Sequence, residues 1–371
     1  MTLMQPKMPI ELADLHSRSH LGRNEAFRVA LLIPLCGSAG IWAPSCISSA
    51  QVAAKELNAS GGIAGRKVQL IMIDAALEAE EPIEQVINRL IDTAAIDAIV
   101  GMHISAVRQQ LSKVVRQRVP YIYTPLYEGG ETTAGLYAIG ETPAEQLRPA
   151  LTHLQHTYRP KSWALIGNDY VWPRSSHSFA KSCLQDMGAG LAMERYVPFG
   201  LRRMNALVEE LASSGAEAVL LSLVGQDAVD FNRAFGRADL HRRMIRLSCA
   251  LEENGLLACG SANLQRLFSA STYFGVLPTE ANAAFKERYY ALHGPQAPVL
   301  NALGQSTYEG VHYLAGLIGA HPGVWQQKGA HDPLPVAHKS GRHLGHQTGN
   351  SRAPVYLARA DGLQFNIVKM L

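Results

Sequence analysis

Residues 57–68, with the sequence LNASGGIAGRKV, decide the fold of this chain because a helical pattern ends there and a strand pattern begins. Apolar residues before the stretch recur at helical spacing, and residues 68–74 after it are mostly apolar. Gly61 or Gly62 can adopt the left-handed backbone that ends a helix, and Gly65 can turn the chain back. We therefore predict a helix, a glycine-rich turn and a strand at this point.

Strand and helix patterns alternate along the rest of the chain. The first series predicts strands at 27–34, 68–74, 96–101 and 119–123, with helices at 45–57, 81–93 and 105–118. The pattern then restarts, with strands at 162–167, 192–197, 218–223 and 244–248 and helices at 175–187, 204–213 and 228–235. Helices at 283–292 and 306–319 and a hairpin of 354–359 with 363–368 follow. We expect an α/β protein of two doubly wound parallel-sheet lobes, with a ligand cleft between them.

Length and composition exclude several classes of protein. A chain of 371 residues suits two domains, and 47% hydrophobic with 18% charged residues excludes global disorder. The net charge is only +3, from 34 basic and 31 acidic residues, so no direct nucleic-acid partner is expected. No window approaches the roughly 20 apolar residues of a membrane span.

The cysteines and the N-terminus bear on the compartment. Five cysteines without CxxC spacing argue against a disulfide framework, a zinc site or a redox motif, and free thiols favour a reducing compartment. Residues 1–26 contain no apolar run of the ~7–15 residues that a signal peptide needs, so we interpret them as a flexible leader. The expectation is a cytoplasmic protein. The alternative is a periplasmic protein whose true start codon, with a signal, lies upstream.

Polar and aromatic side chains follow several of the predicted strands, where parallel sheets bind ligands. Ser105 opens a helix, so its hydroxyl could hold a carboxylate or an amide oxygen, or it could simply cap the helix. Tyr170 and Trp172 could wall an apolar or aromatic ligand, or they could pack an ordinary turn. An acid such as Glu252 or Asp227 could neutralise a ligand ammonium, or it could face a helix dipole.

Two further loops offer similar alternatives. Tyr123 and Tyr127 fall in one loop and could either bind a ligand or pack a turn. Asp169 and Arg174 flank the second aromatic pair and could form a structural ion pair.

Catalytic patterns are missing from the sequence. It has no GxSxG, HExxH, P-loop or GxGxxG motif. Four irregularly spaced histidines in a glycine-rich polar stretch indicate a solvated loop, and not a metal site: His331, His338, His343 and His346. We therefore predict no enzyme, no metal and no cofactor. A hydrolase whose nucleophile and base meet only in the fold is kept as an alternative.

From about residue 27 onward the chain resembles the leucine/isoleucine/valine-type solute-binding proteins, which have the type I periplasmic-binding-protein fold. The resemblance rests on ELNASGGIAGR (56–66), YTPLYEGG (123–130), IGNDYVWPR (166–174) and NSRAPVYLARADG (350–362). Within this family the chain looks closest to the branch of the amide-sensing amidase-operon regulator and the urea- and short-amide-binding proteins. The resemblance implies lobe 1 at 27–142 plus about 275–325, and lobe 2 at 143–274 plus about 330–371, joined by three crossovers.

The resemblance also implies ligand contacts. The family's serine after the third strand matches Ser105, and the aromatic residue two positions earlier is His103 here, a departure that would change the ligand. The family's two aromatics in the second lobe match Tyr170 and Trp172, and the bulk of Trp172 argues against the smallest aliphatic amides. The family's threonine matches either position 124 or position 125. The predicted ligand-binding residues are His103, Ser105, Tyr123, Thr124, Pro125, Tyr170, Trp172, Ser222 and Glu252.

The expected function is that of a receptor that closes around an amide, urea-like or amino-acid-like ligand. Our main hypothesis is a cytoplasmic ligand sensor that passes its state to a regulatory, antiterminator-like protein, as the resemblance implies. The alternative is the substrate-binding subunit of an ABC importer, whose partner would be the permease. A homodimer is an alternative to a monomer in either case.

Overall fold

Two separate β-sheets organise the chain, of which the computed structural model describes residues 26–320, 323, 325 and 353–371. The first sheet contains β1 (Ala26–Ile33), β2 (Lys67–Asp74), β3 (Ala98–Gly101), β4 (Tyr121–Tyr123) and β5 (Leu136–Ala138). Its strands are all parallel, in the order β2-β1-β3-β4-β5. Most residues of β1, β3 and β4 are buried, as expected for parallel strands covered by helices on both faces.

The second sheet has seven strands. They are β6 (Ser162–Asn168), β7 (Gly190–Val197), β8 (Ala218–Ser222), β9 (Ile245–Ser248), β10 (Leu267–Ser271), β11 (Tyr356–Asp361) and β12 (Gln364–Met370). The spatial order is β12-β11-β10-β9-β8-β6-β7. Strands β6 to β10 are parallel, whereas β11 and β12 add an antiparallel pair at one edge. This pair confirms the hairpin predicted from the sequence.

Helices cover both sheets. Around the first sheet lie α1 (Ala43–Ala59), α2 (Ile83–Asp92), α3 (Ser105–Val115), α9 (Glu280–His293) and α10 (Ala302–Ala320), and we call this unit lobe 1. Around the second sheet lie α4 (Pro143–Tyr158), α5 (Val171–Asp186), α6 (Met204–Ser213), α7 (Gly225–Arg237) and α8 (Glu253–Cys259), and we call this unit lobe 2. The predicted fold class of two α/β lobes is confirmed. The exact boundaries of the lobes stay a prediction.

The turn at residues 57–68 forms as its sequence predicts. Helix α1 ends at Ala59, and Gly61 and Gly62 have φ angles of 96° and 81°. A side chain at Gly62 would clash with the carbonyl of Arg66, so only glycine fits there. The Asn58 amide then fixes the following strand, since it accepts from the backbone N–H of Val68 at 2.6 Å and donates to the carbonyl of the same residue at 3.0 Å.

Four elements escape the sequence prediction: β5, α4, α8 and β10. Helix α4 begins with a capping box in which Thr142 and Glu145 satisfy each other's backbone groups, but Pro149 in its interior hides the helical pattern. Strand β10 carries two serines in five residues, which obscures its apolar character. Helix α8 has only seven residues, too few to show a clear period.

Other predictions concern the surface and the termini. All five cysteines are free, with Cys36 exposed and the others buried. None of the helices in the described ranges has the length and hydropathy needed to cross a membrane. The predicted leader (apart from residue 26) and the four histidines of the polar loop lie outside the described residues.

A polar cluster joins three helices of lobe 1. The Glu56 carboxylate of α1 lies 2.6 Å from the Arg288 Nε of α9, and it also accepts hydrogen bonds from Tyr308 at 2.6 Å and His312 at 3.0 Å on α10. Burial alone would raise the pKa of Glu56, but the bonds from His312 and Tyr308 and the charge of Arg288 outweigh it. The pKa of Glu56 is therefore held at about 2.

This cluster predicts a specific acid sensitivity. Because the pKa of Glu56 is lower in the folded protein than its unfolded value of about 4.3, its contribution is present at neutral pH and is lost as the pH falls towards 2. We expect Glu56→Gln to lower the free energy of unfolding by roughly 1–2 kcal/mol at pH 7, after allowance for solvent screening. Urea denaturation at pH 7 and pH 3 should show the gap to the parent protein shrinking at the lower pH.

The control for this experiment is Glu209→Gln, an exposed glutamate on α6. Its stability should follow that of the parent at both pH values. A Glu56→Gln deficit that is the same at pH 7 and pH 3 would mean that charge does not carry the effect.

Candidate functional site

A cavity between the lobes has about 310 Å³ of empty volume, counted together with the solvent at its opening. The segments that line it follow the carboxyl ends of strands: β3 and β4 in lobe 1, and β6, β8 and β9 in lobe 2. Ligands of open parallel sheets bind at this edge. The lining residues are Trp42, His103, Ile104, Ser105, Tyr123, Pro125, Leu126, Tyr170, Trp172, Val224, Ala250 and Leu303.

The cavity brings together most of the residues predicted from the sequence. Six of them line it: His103, Ser105, Tyr123, Pro125, Tyr170 and Trp172. Thr124 and Glu252 line an adjoining cavity that shares Pro125, Leu126 and Leu303 with the first. Ser222 lines neither of these two cavities, because it is buried at the end of β8 against Gly167.

Ser105 supplies a polar group at the start of α3. Ile104, and not Ser105, is the N-cap residue, and no side chain caps this helix, so the capping interpretation is wrong. The Ser105 hydroxyl lies 3.4 Å from the hydroxyl of Tyr123, which itself donates to the carbonyl of His103 at 2.7 Å. Since the first N–H groups of a helix have no intrahelical partner, Ser105 and the backbone beside it can bind an oxygen-bearing group.

His103 contributes a neutral aromatic wall. Its Nδ1 lies 3.1 Å from the carbonyl of Ile104, so this nitrogen carries the proton, and Nε2 accepts from the Tyr121 hydroxyl at 2.7 Å. Burial lowers the pKa of His103 to about 4, and the charge of Arg108 adds to the effect. The imidazole is therefore uncharged at neutral pH and has both nitrogens engaged.

Behind this wall lies a buried ion-pair cluster. Arg108 of α3 contacts Glu128 at 2.5 Å and Glu131 at 2.9 Å, and its guanidinium lies 5.2 Å from the centre of the Tyr123 ring and 5.4 Å from that of Tyr127. Tyr127 packs on Tyr123 edge-to-face and does not line the cavity. One tyrosine of the pair therefore faces the cavity and the other packs the turn.

The second-lobe wall is built at the start of α5. Tyr170 is the N-cap residue of this helix, Trp172 lies in its first turn, and their ring centres are 6.3 Å apart. Asp169 and Arg174 form the predicted ion pair at 2.6 Å on the exposed side of the same turn. The two aromatic side chains thus face the cavity while the charged ones face solvent.

Sequence reasoning missed several lining residues, most notably Trp42 and Leu303. Trp42 lies nine residues beyond the end of β1, at the last position of the 38–42 turn, so a search of the residues directly after each strand does not reach it. Leu303 lies at the start of α10, far along the chain from the other lobe 1 residues, and its sequence gives no comparable signal.

A turn of lobe 1, residues 38–42, docks on lobe 2 and holds the lobes together. Ser38 donates to Asp227 of α7 at 3.1 Å, and Trp42 Nε1 donates to Glu252 at 3.2 Å. Asn254 of α8 donates to the carbonyl of Ile41 at 2.9 Å. These hydrogen bonds cross the cleft, so the structure shows a closed arrangement.

Asp227 and Glu252 therefore have structural partners. Asp227, in the first turn of α7, also accepts from the Asn168 side chain at 2.8 Å and from the backbone N–H of Gly200 at 3.0 Å. Its carboxylate therefore has three hydrogen-bond donors within the protein. Glu252 is the N-cap residue of α8, and burial, with the neighbouring charge of Glu253, raises its pKa to about 8.

The family model for periplasmic binding proteins matches residues 26–328. This chain belongs to that family. Among curated relatives, Leu/Ile/Val-binding protein homolog 3 of Brucella melitensis is 22% identical over 88% of this chain and 89% of its own length. An amino acid binding protein of Pseudomonas aeruginosa is 26% identical, but the match spans only 46% of each chain, less than half of that relative.

Solved structures of several solute-binding proteins have the same fold. A solute binding protein of an ABC transporter from R. palustris, in complex with benzoate, superposes with a TM-score of 0.76 at 15% identity, covering 93% of this chain and 96% of its own. The branched-chain amino acid transporter substrate binding protein of Streptococcus pneumoniae, in complex with isoleucine, gives 0.75 at 15% identity, covering 93% and 100%. These proteins are binding proteins and not enzymes. The family prediction is confirmed, whereas the amide-sensing branch stays a prediction.

Closure of the lobes depends on a glycine, which gives a testable prediction. A side chain at Gly225 would clash with the carbonyl of Ser38 across the cleft. We therefore expect Gly225→Ala to hold the lobes apart and to increase the radius of gyration in small-angle X-ray scattering. Gly188→Ala is the matched control, because its φ of 69° imposes the same strain as the 56° of Gly225 but nothing lies within 4 Å. Equal scattering curves for the two variants would contradict the prediction.

The buried carboxyl of Glu252 predicts a second effect. Because its pKa of about 8 lies above the unfolded value of about 4.3, the folded protein binds more protons in that window, and stability falls as the pH rises through it. Glu252→Gln keeps an oxygen for Trp42 but removes the titration. Between pH 6 and pH 8.5 its melting temperature should fall by roughly 3 °C less than that of the parent.

Glu287→Gln, an exposed glutamate on α9, serves as the control for this measurement. Its melting temperature should follow the parent's pH dependence, to which Glu253, with a pKa raised to about 7 by burial, also contributes. Parallel pH profiles for Glu252→Gln and the parent would show that Glu252 is not the titrating group.

Proposed function

We propose that this chain is the solute-binding component of an ABC importer and that it closes around a small carboxylate with an apolar body. The observation that carries the proposal is the cavity between the lobes, whose walls are aromatic and aliphatic apart from Ser105 at the start of α3 and the neutral His103. Such a cavity suits a ligand with one polar head and one apolar part.

The head of the ligand would bind at Ser105. The Ser105 hydroxyl, the backbone N–H groups at the very start of the helix and the positive end of the α3 dipole all favour an anionic oxygen. Among the described residues that line this cavity there is no arginine or lysine, so the helix terminus is the feature that would neutralise a carboxylate. An amide oxygen could use the same donors, but it would gain less from the dipole.

The body of the ligand would lie between aromatic rings from the two lobes. Trp42 and Tyr123 come from lobe 1, and Tyr170 and Trp172 come from lobe 2, so a flat or branched apolar group contacts both lobes only when they close. This arrangement couples ligand binding to closure, because the ligand makes its full set of contacts in the closed state alone.

An amino group on the ligand is an additional feature that Glu252 would recognise. Its carboxyl lines the adjoining cavity and already accepts from Trp42, so a ligand ammonium next to Trp42 would find an acidic partner. Burial raises the pKa of Glu252 to about 8, and an ammonium would lower it by favouring the charged form. Amino acids and aromatic acids are both within the proposed class, and Glu252 would distinguish them.

The importer is favoured over the cytoplasmic amide sensor. Similar solved proteins are named as solute-binding components of ABC transporters, with isoleucine or benzoate bound. By this proposal the protein works in the periplasm and its partner is an ABC permease. The sensor hypothesis, with an antiterminator-like partner, has no corresponding support among these proteins.

A thermal-shift screen tests the proposal. The panel holds leucine, isoleucine, valine, benzoate and 4-hydroxybenzoate, together with acetamide and urea for the amide hypothesis. A ligand that binds only the folded state stabilises it and so raises the melting temperature. At a ligand concentration of 100 times the Kd, the stabilisation is about 2.7 kcal/mol. We expect amino acids or aromatic acids to raise it, and Ser105→Ala to weaken the hit at least tenfold by calorimetry, since a charged hydrogen bond is lost.

The matched control is Ser178→Ala, which removes an exposed serine from α5. Its affinity should equal that of the parent. Stabilisation by acetamide or urea alone would favour the amide sensor. Uptake of the labelled ligand should be lost in a strain that lacks this protein if it is an importer subunit, but not if it is a sensor.

A further inference from the structure

Trp172 carries a buried hydrogen-bond donor without a partner. Its side chain is 4% exposed and lines the cavity, and its indole Nε1 makes no hydrogen bond. The two other buried tryptophans differ in this respect. Trp42 Nε1 donates to Glu252 at 3.2 Å, and Trp163 Nε1 donates to Gln155 at 3.1 Å. Of the three buried tryptophans in the described part of the chain, Trp172 is the one whose indole N–H lacks a partner.

An unpaired buried donor costs free energy, which the native structure must recover in some other way. The usual penalty for such a group is roughly 1–3 kcal/mol, and most buried polar groups in native proteins have a partner. The neighbouring side chain on the same turn is Tyr170, whose ring centre lies 6.3 Å from that of Trp172, and it provides no hydrogen bond to the indole. Since Trp172 lines the cavity, a molecule bound there could supply the missing acceptor.

The positions of the two polar groups add a geometric argument. Ser105 belongs to lobe 1 and Trp172 to lobe 2, and both line the same cavity. The two donors therefore approach a ligand from opposite walls of the cavity. A ligand that is held by its head at Ser105 and spans the cavity would present its body to Trp172, and an oxygen on that body would be the acceptor for the indole.

We propose that the Trp172 indole N–H is a specificity-determining donor that recognises a hydroxyl or carbonyl oxygen on the body of the ligand. This inference rests on the proposed function, because it assumes a ligand held by its head at Ser105. It narrows the ligand class to small carboxylates that carry a further oxygen, such as hydroxylated aromatic acids or hydroxy amino acids. Without that oxygen the N–H stays unpaired in the complex, and the affinity is lower.

Matched ligand pairs test the inference by calorimetry. The pairs are benzoate with each of its three monohydroxy derivatives, valine with threonine, and phenylalanine with tyrosine. In the parent protein the hydroxylated member of at least one pair should bind about 5–50-fold more tightly, which is the range expected for one hydrogen bond in a buried site. In Trp172→Phe, which keeps an aromatic ring but removes the N–H, the ratio of the two affinities should fall to about one.

Trp42→Phe is the control variant, because its ring lines the same cavity while its N–H already has a partner in Glu252. It should weaken both members of a pair and leave their ratio close to the parent's. If Trp172→Phe weakens the binding of both members of a pair by the same factor, the inference is overturned and the proposed function is unaffected. Absence of binding by every member of every pair would overturn the proposed function and the inference with it.

A spectroscopic measurement on the unaltered protein gives a second test. The indole ¹H–¹⁵N resonance of Trp172, assigned through its loss in Trp172→Phe, should move downfield when the hydroxylated ligand is added. It should move much less with the unsubstituted partner. Equal shifts for both ligands would mean that the N–H is not the recognising group, whatever the affinities are.

Discussion

The closed arrangement depends on one backbone position of the second lobe, where no side chain can be present. At Gly225 the start of α7 lies directly against the carbonyl of Ser38. This close approach lets the 38–42 turn reach Asp227 and Glu252, and those contacts bring Trp42 beside the aromatic residues of the second lobe. The cavity and its mixed lining from both lobes therefore follow from a steric condition at a single residue.

The sequence predicts most of the fold because its signals are local. The glycines at 61 and 62 and the apolar strands each indicate their own structure, and these predictions are confirmed. Helix α4 escapes because Pro149 interrupts its pattern, although the capping box at Thr142 was available as a signal. Six predicted site residues meet in one cavity because strand ends converge by topology. Contacts across the cleft, such as Trp42 with Glu252, depend on how the lobes pack, and no local pattern encodes them.

The cavity keeps charge out of its walls while the shell around it is highly charged. His103 is held neutral by burial, and Arg108 is neutralised behind Tyr123 by two glutamates. Because buried charges must be paired, this arrangement gives the site rigid aromatic walls without an uncompensated charge facing the ligand. The polar recognition that remains comes from a helix terminus, a hydroxyl and the free indole N–H.

The hydrogen bonds of Asp227 affect how the lobes open and close. Only one of its three donors, Ser38, comes from the first lobe, whereas Asn168 and Gly200 belong to the second. When the lobes separate, the carboxylate loses its hydrogen bond from Ser38, and water takes the place of this donor. The other two donors still fix the position of the carboxylate in the second lobe. The receiving surface is thus preorganised in the open state, so association carries little entropic penalty for ordering it. Opening and closing can then proceed as a rigid-body motion, without local refolding in each cycle.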